Sequence, residues 1–145
     1  MTSDQLDLLS AASRHVADAE HLSSPGRHCS PDQAWHLAGF APECLRKACL
    51  EDRALDRALG HELGPDGEAL LDWGVALDPH AWRYDLADWS LSSPTIADWK
   101  PAHRYEATGS RSGEPVTELV GAARRLLERV RADLWADGQI TGREI

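Results

Sequence analysis

No stretch of this chain approaches the roughly 20 consecutive apolar residues that a membrane-spanning helix needs. Its first residues, MTSDQLDLLS, also lack the basic region followed by an apolar segment that marks a secretory leader. The expected setting is cytoplasmic, without membrane contact. Cysteine is scarce: Cys29, Cys44 and Cys49 are odd in number and form no CxxC pair, which suits free thiols in a reducing compartment rather than a disulfide framework. Positive charge is also in short supply. With 15 Lys and Arg against 24 Asp and Glu, the formal net charge is −9. That balance repels phosphate backbones and anionic lipid over most of the surface and confines any such contact to a local patch.

Several signatures of chemistry are missing as well. The sequence has neither GxSxG, nor GxxxxGK, nor GxGxxG, which removes the usual serine hydrolase, phosphate-loop and dinucleotide readings. It has no HExxH and no paired Cys/His spacing, so neither a metal nor a cofactor is expected.

What is present is helical periodicity. A chain of 145 residues fits one domain, residues 1–145, and a domain of that size buries roughly 68–70% of its unfolded surface, enough for one core without staples. The first helix is expected from Ser3 to Leu22, with Ser3 as its cap and Leu6, Leu9, Ala12, Val16, Ala19 and Leu22 as its buried stripe. Ser30-Pro31 with Gln33 reads as a capped start for a second, central helix through Glu51, whose Leu37, Ala38, Ala41, Cys44, Leu45 and Ala48 share a small-residue face. Pro42 inside this pattern predicts a kink near Ala38. The pattern either extends through Leu55 and Leu59 to a stop at Gly60 or restarts as a short helix. Glu68 to Leu77 reads as a helix with Leu70, Trp73 and Leu77 inward, and Asp78-Pro79 starts another short one carrying Trp82 and Leu86. Between Ser90 and Gly113 periodicity vanishes and an ordered, irregular loop is expected. Pro115 to Ala136, stopped by Gly138, is the clearest amphipathic helix. No strand pattern of comparable strength appears. The fold class is all-α, an up-and-down bundle of about four to five helices with a long loop before the last.

Four constellations are candidates for function. Glu43 and Lys47, four apart on the central helix, form a surface ion pair or else orient Lys47 or Arg46 toward an anion. A mid-chain group of Trp73, His80, Trp82, Arg83, Tyr84, Trp89, Trp99, His103, Arg104 and Tyr105 either closes the core or stacks a base against rings and guanidinium groups. His61, after Gly60, bonds a backbone carbonyl or faces a ligand. Arg124, Arg125, Arg129 and Arg131 make one basic helix face, either solvated or receiving RNA or an acidic partner.

The stretch WHLAGFAPECLRKACLE resembles the HEPN superfamily. The resemblance is carried by Leu37-Ala38-Gly39-Phe40, Glu43-Cys44 and Lys47, followed by Gly60-His61-Glu62-Leu63, with Ala17, Asp18, Ala19 and Leu22 suiting the family's first helix. Pro42 and Arg46 depart from the family pattern. The resemblance implies a helical bundle, a homodimer, and association with nucleotides, RNA cleavage or toxin–antitoxin and defence systems. Ribonuclease members place an Arg and, about four to six residues on, a His on a late helix, to activate a ribose hydroxyl and stabilise the phosphorane. Here no histidine follows His103. Arg14 and His21 have the spacing but lie on the first helix, and His103 with Arg104 is the other catalytic candidate. The expectation is therefore a non-catalytic domain that binds a nucleotide, RNA or protein partner through residues such as Glu43, Lys47, His61, Trp99, Arg104 and Tyr105. The alternatives are a metal-independent endoribonuclease and a structural interaction module.

Overall fold

The computed structural model describes residues 1–51, 53–74, 76–79, 83, 84, 86 and 88–142. Its described elements are α1 (Ser3–Ser23), α2 (Pro31–Cys49), α3 (Arg53–Leu59), α4 (Pro65–Gly74), α5 (Trp89–Ser92), α6 (Pro94–Asp98), a 3-10 turn (Pro101–Tyr105) and α7 (Glu114–Ala136). No strand occurs among the described residues, so the all-α expectation holds. No helix among them is long and apolar enough to cross a membrane.

Three long helices build the frame. The Gln5 side chain reaches the Leu50 carbonyl and the Ser30 N–H reaches the Leu22 carbonyl, so α1 and α2 run antiparallel. The Met1 amino group meets Gln139 while Glu20 pairs with Arg124, so α7 also runs against α1 and alongside α2. The seam is made of small residues. Ala12, Val16 and Ala19 of α1, Ala34, Ala38, Ala41, Leu45 and Ala48 of α2, and Ala123, Leu127 and Val130 of α7 are fully buried. Small side chains at one-turn spacing let backbones approach, while each buried Leu adds roughly 1.5–3 kcal/mol.

The helix α1 begins at Ser3 as expected, but its cap lies one residue earlier. Thr2, not Ser3, is its cap: Thr2 accepts from the Gln5 N–H and Gln5 returns a bond to the Thr2 N–H at 2.8 Å. Reciprocity needs Gln or Glu three residues on, and Ser3 would have found Leu6 there. At α2 the expected Ser30–Gln33 box is absent. The Ser30 N–H is already committed to Leu22, which leaves a Gln33 side chain nothing to reach back for. Pro42 is buried, and α2 runs unbroken past it to Cys49.

The central helix does not extend to Gly60. Leu50 is extended, Glu51 donates its N–H to Asp78 at 2.6 Å, and α3 starts afresh. Gly60, with φ +51, does end α3. The inward face of α4 is Gly67, Leu71 and Gly74. Leu70, Trp73 and Leu77, expected inward, are 39%, 86% and 70% exposed. The cause is close approach: a Cβ on Gly74 would sit 2.6 Å from the Leu55 side chain, so α4 packs by its backbone and turns its large side chains out.

Of the helix expected over 78–89, residues 80–82, 85 and 87 lie outside the described residues, His80 and Trp82 among them. The segment before α7 is more helical than expected. Pro94 and Pro101 stand at first helical positions and begin α6 and the 3-10 turn, because proline disrupts a helix interior but suits its start. After α7, Gly138 at φ +67 closes a Schellman arrangement, with Gln139 N–H bonded to the Leu134 carbonyl and Gly138 N–H to that of Trp135.

Candidate functional site

One stripe along α2 carries His36, Phe40, Glu43 and Lys47 at steps of four, three and four residues, half-buried except for Glu43. Glu43 is buried, yet it accepts from Lys47 Nζ at 2.5 Å and faces His61 Nδ1 at 2.7 Å. The expected surface pair is thus a buried carboxylate held by two partners, of which His61 is 59% exposed at its side chain. Arg46 does not turn toward an anion. It is fully buried and donates to the carbonyls of Gly60 and Glu62, fastening the end of α3 to α2.

Upstream, the stripe becomes aromatic. Phe40 meets His36 edge-on at 4.7 Å and Trp99 edge-on at 5.0 Å between ring centroids, with His15 of α1 at 5.7 Å. Trp99, offered by the sequence as a ligand contact, is instead buried across Gly39. Its Nε1, with His15 Nδ1 and His36 Nδ1, is buried without a hydrogen-bond partner among the described residues. Burial first, and the nearby positive charges of Arg14 for His15 and Arg104 for His36, hold both imidazoles below the usual histidine range.

At the start of α2 lies a cleft of about 140 Å³ lined by Asp32, Gln33, His36, His103, Arg104 and Arg111, among others. His103 Nδ1 accepts from the Trp35 indole at 3.1 Å and from the Lys100 N–H at 3.3 Å. Two donors aimed at Nδ1 place the lone pair there and the ring proton on Nε2. Burial, then the charge of Arg111, keeps this histidine neutral. Arg111 is spent inside the wall: it donates from Nε and Nη2 to the Glu106 carboxylate, each at 2.7 Å, and lies 4.6 Å over the Trp35 ring. Asp32 accepts the N–H groups of Gly109 and Arg111, which lower its carboxyl. Arg104 stacks 4.7 Å over exposed Tyr105 and makes no ion pair with the described residues. It is the cleft's available cation.

The sequence-derived candidates therefore divide. His103 and Arg104 share the cleft, with Tyr105 beside them, and Glu43, Lys47 and His61 form the far end of the same stripe. Arg14 and His21 are both exposed on α1, two turns or about 10 Å apart along its axis. Arg14 bears electrostatically on His15 and Cys44, whereas no hydrogen bond or ion pair among the described residues ties His21 to the stripe. Sequence reasoning missed His15, His36, Trp35 and Arg111. Only His36 left a signal, since four and seven residues on from it come Phe40 and Glu43.

Cys44 and Cys49 offer no nucleophile here. Burial, then the charge of Glu43, pushes Cys44 up to about 11, and burial pushes Cys49 up to about 12, so both stay protonated at neutral pH. All three are free thiols. Among the described residues no group of three or more His, Cys, Asp or Glu is placed to hold a metal. On α7, Arg124 is spent on Glu20, and Arg131 has a buried Nε without a hydrogen-bond partner among the described residues, so the four arginines do not form one open basic face. Comparison of the chain with protein-family models, with curated proteins and with solved structures found no match in any of the three.

Proposed function

We propose that this chain is a HEPN-like helical domain that dimerises and binds a nucleotide or single-stranded RNA in the His36–His103–Arg104 cleft without cleaving it. One observation carries the reading. The cleft brings the His36 and His103 rings, whose charged forms burial disfavours, together with Arg104, an arginine without an ion-pair partner among the described residues. Rings and guanidinium planes take a base face, and Arg104 and the His103 Nε2–H serve phosphate oxygens. The late helix carries no histidine, which leaves the resemblance without its usual catalytic pair. The homodimer rests on the resemblance alone, and the free thiols fit a cytoplasmic setting.

The test is fluorescence anisotropy of end-labelled single-stranded RNA. Arg104→Ala and His36→Ala weaken binding at least about tenfold, on the order of one charge-assisted contact each, while Arg125→Ala on α7 leaves it unchanged. Equal affinity for all three variants contradicts the proposal. Sedimentation at micromolar concentration tests the dimer.

A second reading draws on the same geometry. His36, His103 and Arg104 line one cleft, and two imidazoles beside a guanidinium are the groups a metal-independent endoribonuclease toxin would use. RNA cleavage by the pure protein that disappears in His36→Ala and Arg104→Ala supports that reading over simple binding.

A further inference from the structure

A second surface, separate from the His36 cleft and independent of its reading, lies on α4. Leu70, Trp73 and Leu77 are exposed at three- and four-residue steps along one side of α4 and the turn after it. Asp66 continues that side one turn toward the helix start, four residues before Leu70. It also lines an open cleft of about 380 Å³ with Glu62, Asp98, Ser90 and Lys100. Three carboxylates against one ammonium leave the cleft negative. Glu62 spends one oxygen on the Gly64 N–H at 2.8 Å. Asp66 and Asp98 make no hydrogen bond or ion pair with the described residues.

Single exposed apolar side chains are ordinary on a protein surface. An exposed tryptophan with a leucine on either side, in register with an acidic cleft, is a patch of the kind that marks a docking face. We infer that this face binds a protein segment that presents apolar side chains at helical spacing together with a Lys or Arg. The apolar side chains lie on Leu70, Trp73 and Leu77, and the cation enters the cleft among Glu62, Asp66 and Asp98. Charge selects this occupant. The carboxylates repel anionic lipid and nucleic acid, and a second copy docked face to face here would set the same carboxylates against one another.

The experiment is anisotropy of a fluorescein-labelled peptide of Leu and Lys arranged as an amphipathic helix, titrated with the intact chain. Trp73→Ala weakens binding at least about tenfold, as for a central aromatic anchor, and Asp98→Asn weakens it about threefold. Leu91→Ala, another exposed leucine (84%) outside the patch, leaves it unchanged. A peptide of the same charge with Ser for Leu, or with Glu for Lys, binds at least about tenfold more weakly. Equal binding by Trp73→Ala, or by the Ser-for-Leu peptide, overturns the inference, because net charge alone then explains attraction. Self-association of the wild type that Trp73→Ala abolishes also overturns it, and assigns the face to a second copy. Unchanged circular dichroism shows that each variant is folded, as substitution at exposed positions requires.

Discussion

The indole of Trp99 occupies the space that any side chain on Gly39 would need. A Cβ built at Gly39 falls 2.2 Å from three atoms of the ring, and Trp99 itself is 1% exposed. The glycine of the LAGF segment is thus the socket that lets the segment before α7 close on α2. Because a buried ring has no free direction in which to retreat, Gly39→Ala should cost at least about 1–3 kcal/mol. Thermal unfolding measures it. Gly39→Ala on a Trp99→Leu background should cost much less than on the wild type, since the smaller side chain leaves room.

Arg46 is a buried guanidinium that satisfies two carbonyls, those of Gly60 and Glu62. Removing it strands both acceptors and frees the 60–63 segment from α2. Arg46→Ala should lower stability by about 2–5 kcal/mol, the range for breaking a buried charged network. Urea denaturation reads this as a lower midpoint. The loss should exceed that of Lys47→Ala, because Lys47 is half-exposed and gives up one bond to Glu43.

His15, His36 and His103 share a direction: burial holds each below its ordinary range. Their neutral forms are the folded ones, so stability is fully present above the unfolded histidine value near 6.5 and is lost as pH falls from there toward the folded values. The urea midpoint should therefore fall between about pH 7.5 and about pH 5. His103→Asn, which keeps an acceptor for Trp35 and cannot titrate, should flatten part of that slope. A midpoint that rises on acidification contradicts the neutral assignment.

The three long helices were legible because their burial is periodic: the residues expected to face inward on α2 included Ala38, Ala41 and Ala48, and all three are fully buried. The helix starts were less so. Thr2 and Ser30 differ through partners, Gln5 in one case and the distant Leu22 carbonyl in the other, and only the first is a local signal. On α4, ranking residues by apolarity failed, because glycines at 67 and 74 pack the backbone and expel Trp73. The candidate site was half visible. Glu43, Lys47 and His61 lie within 19 residues of one another along the chain, whereas Trp35 and His103 are 68 residues apart and meet only through the 3-10 turn. Long-range pairs of that kind leave no periodic trace.

The central claim is that the cleft at the start of α2 receives a nucleotide. Its most direct test is a chemical-shift titration of the isotopically labelled protein with a ribonucleoside monophosphate, following histidine ring and arginine side-chain signals. Saturable shifts are expected at His36, His103 and Arg104, as is their absence in Arg104→Ala. Shifts confined to α4 or α7, or none at saturating nucleotide, would contradict it.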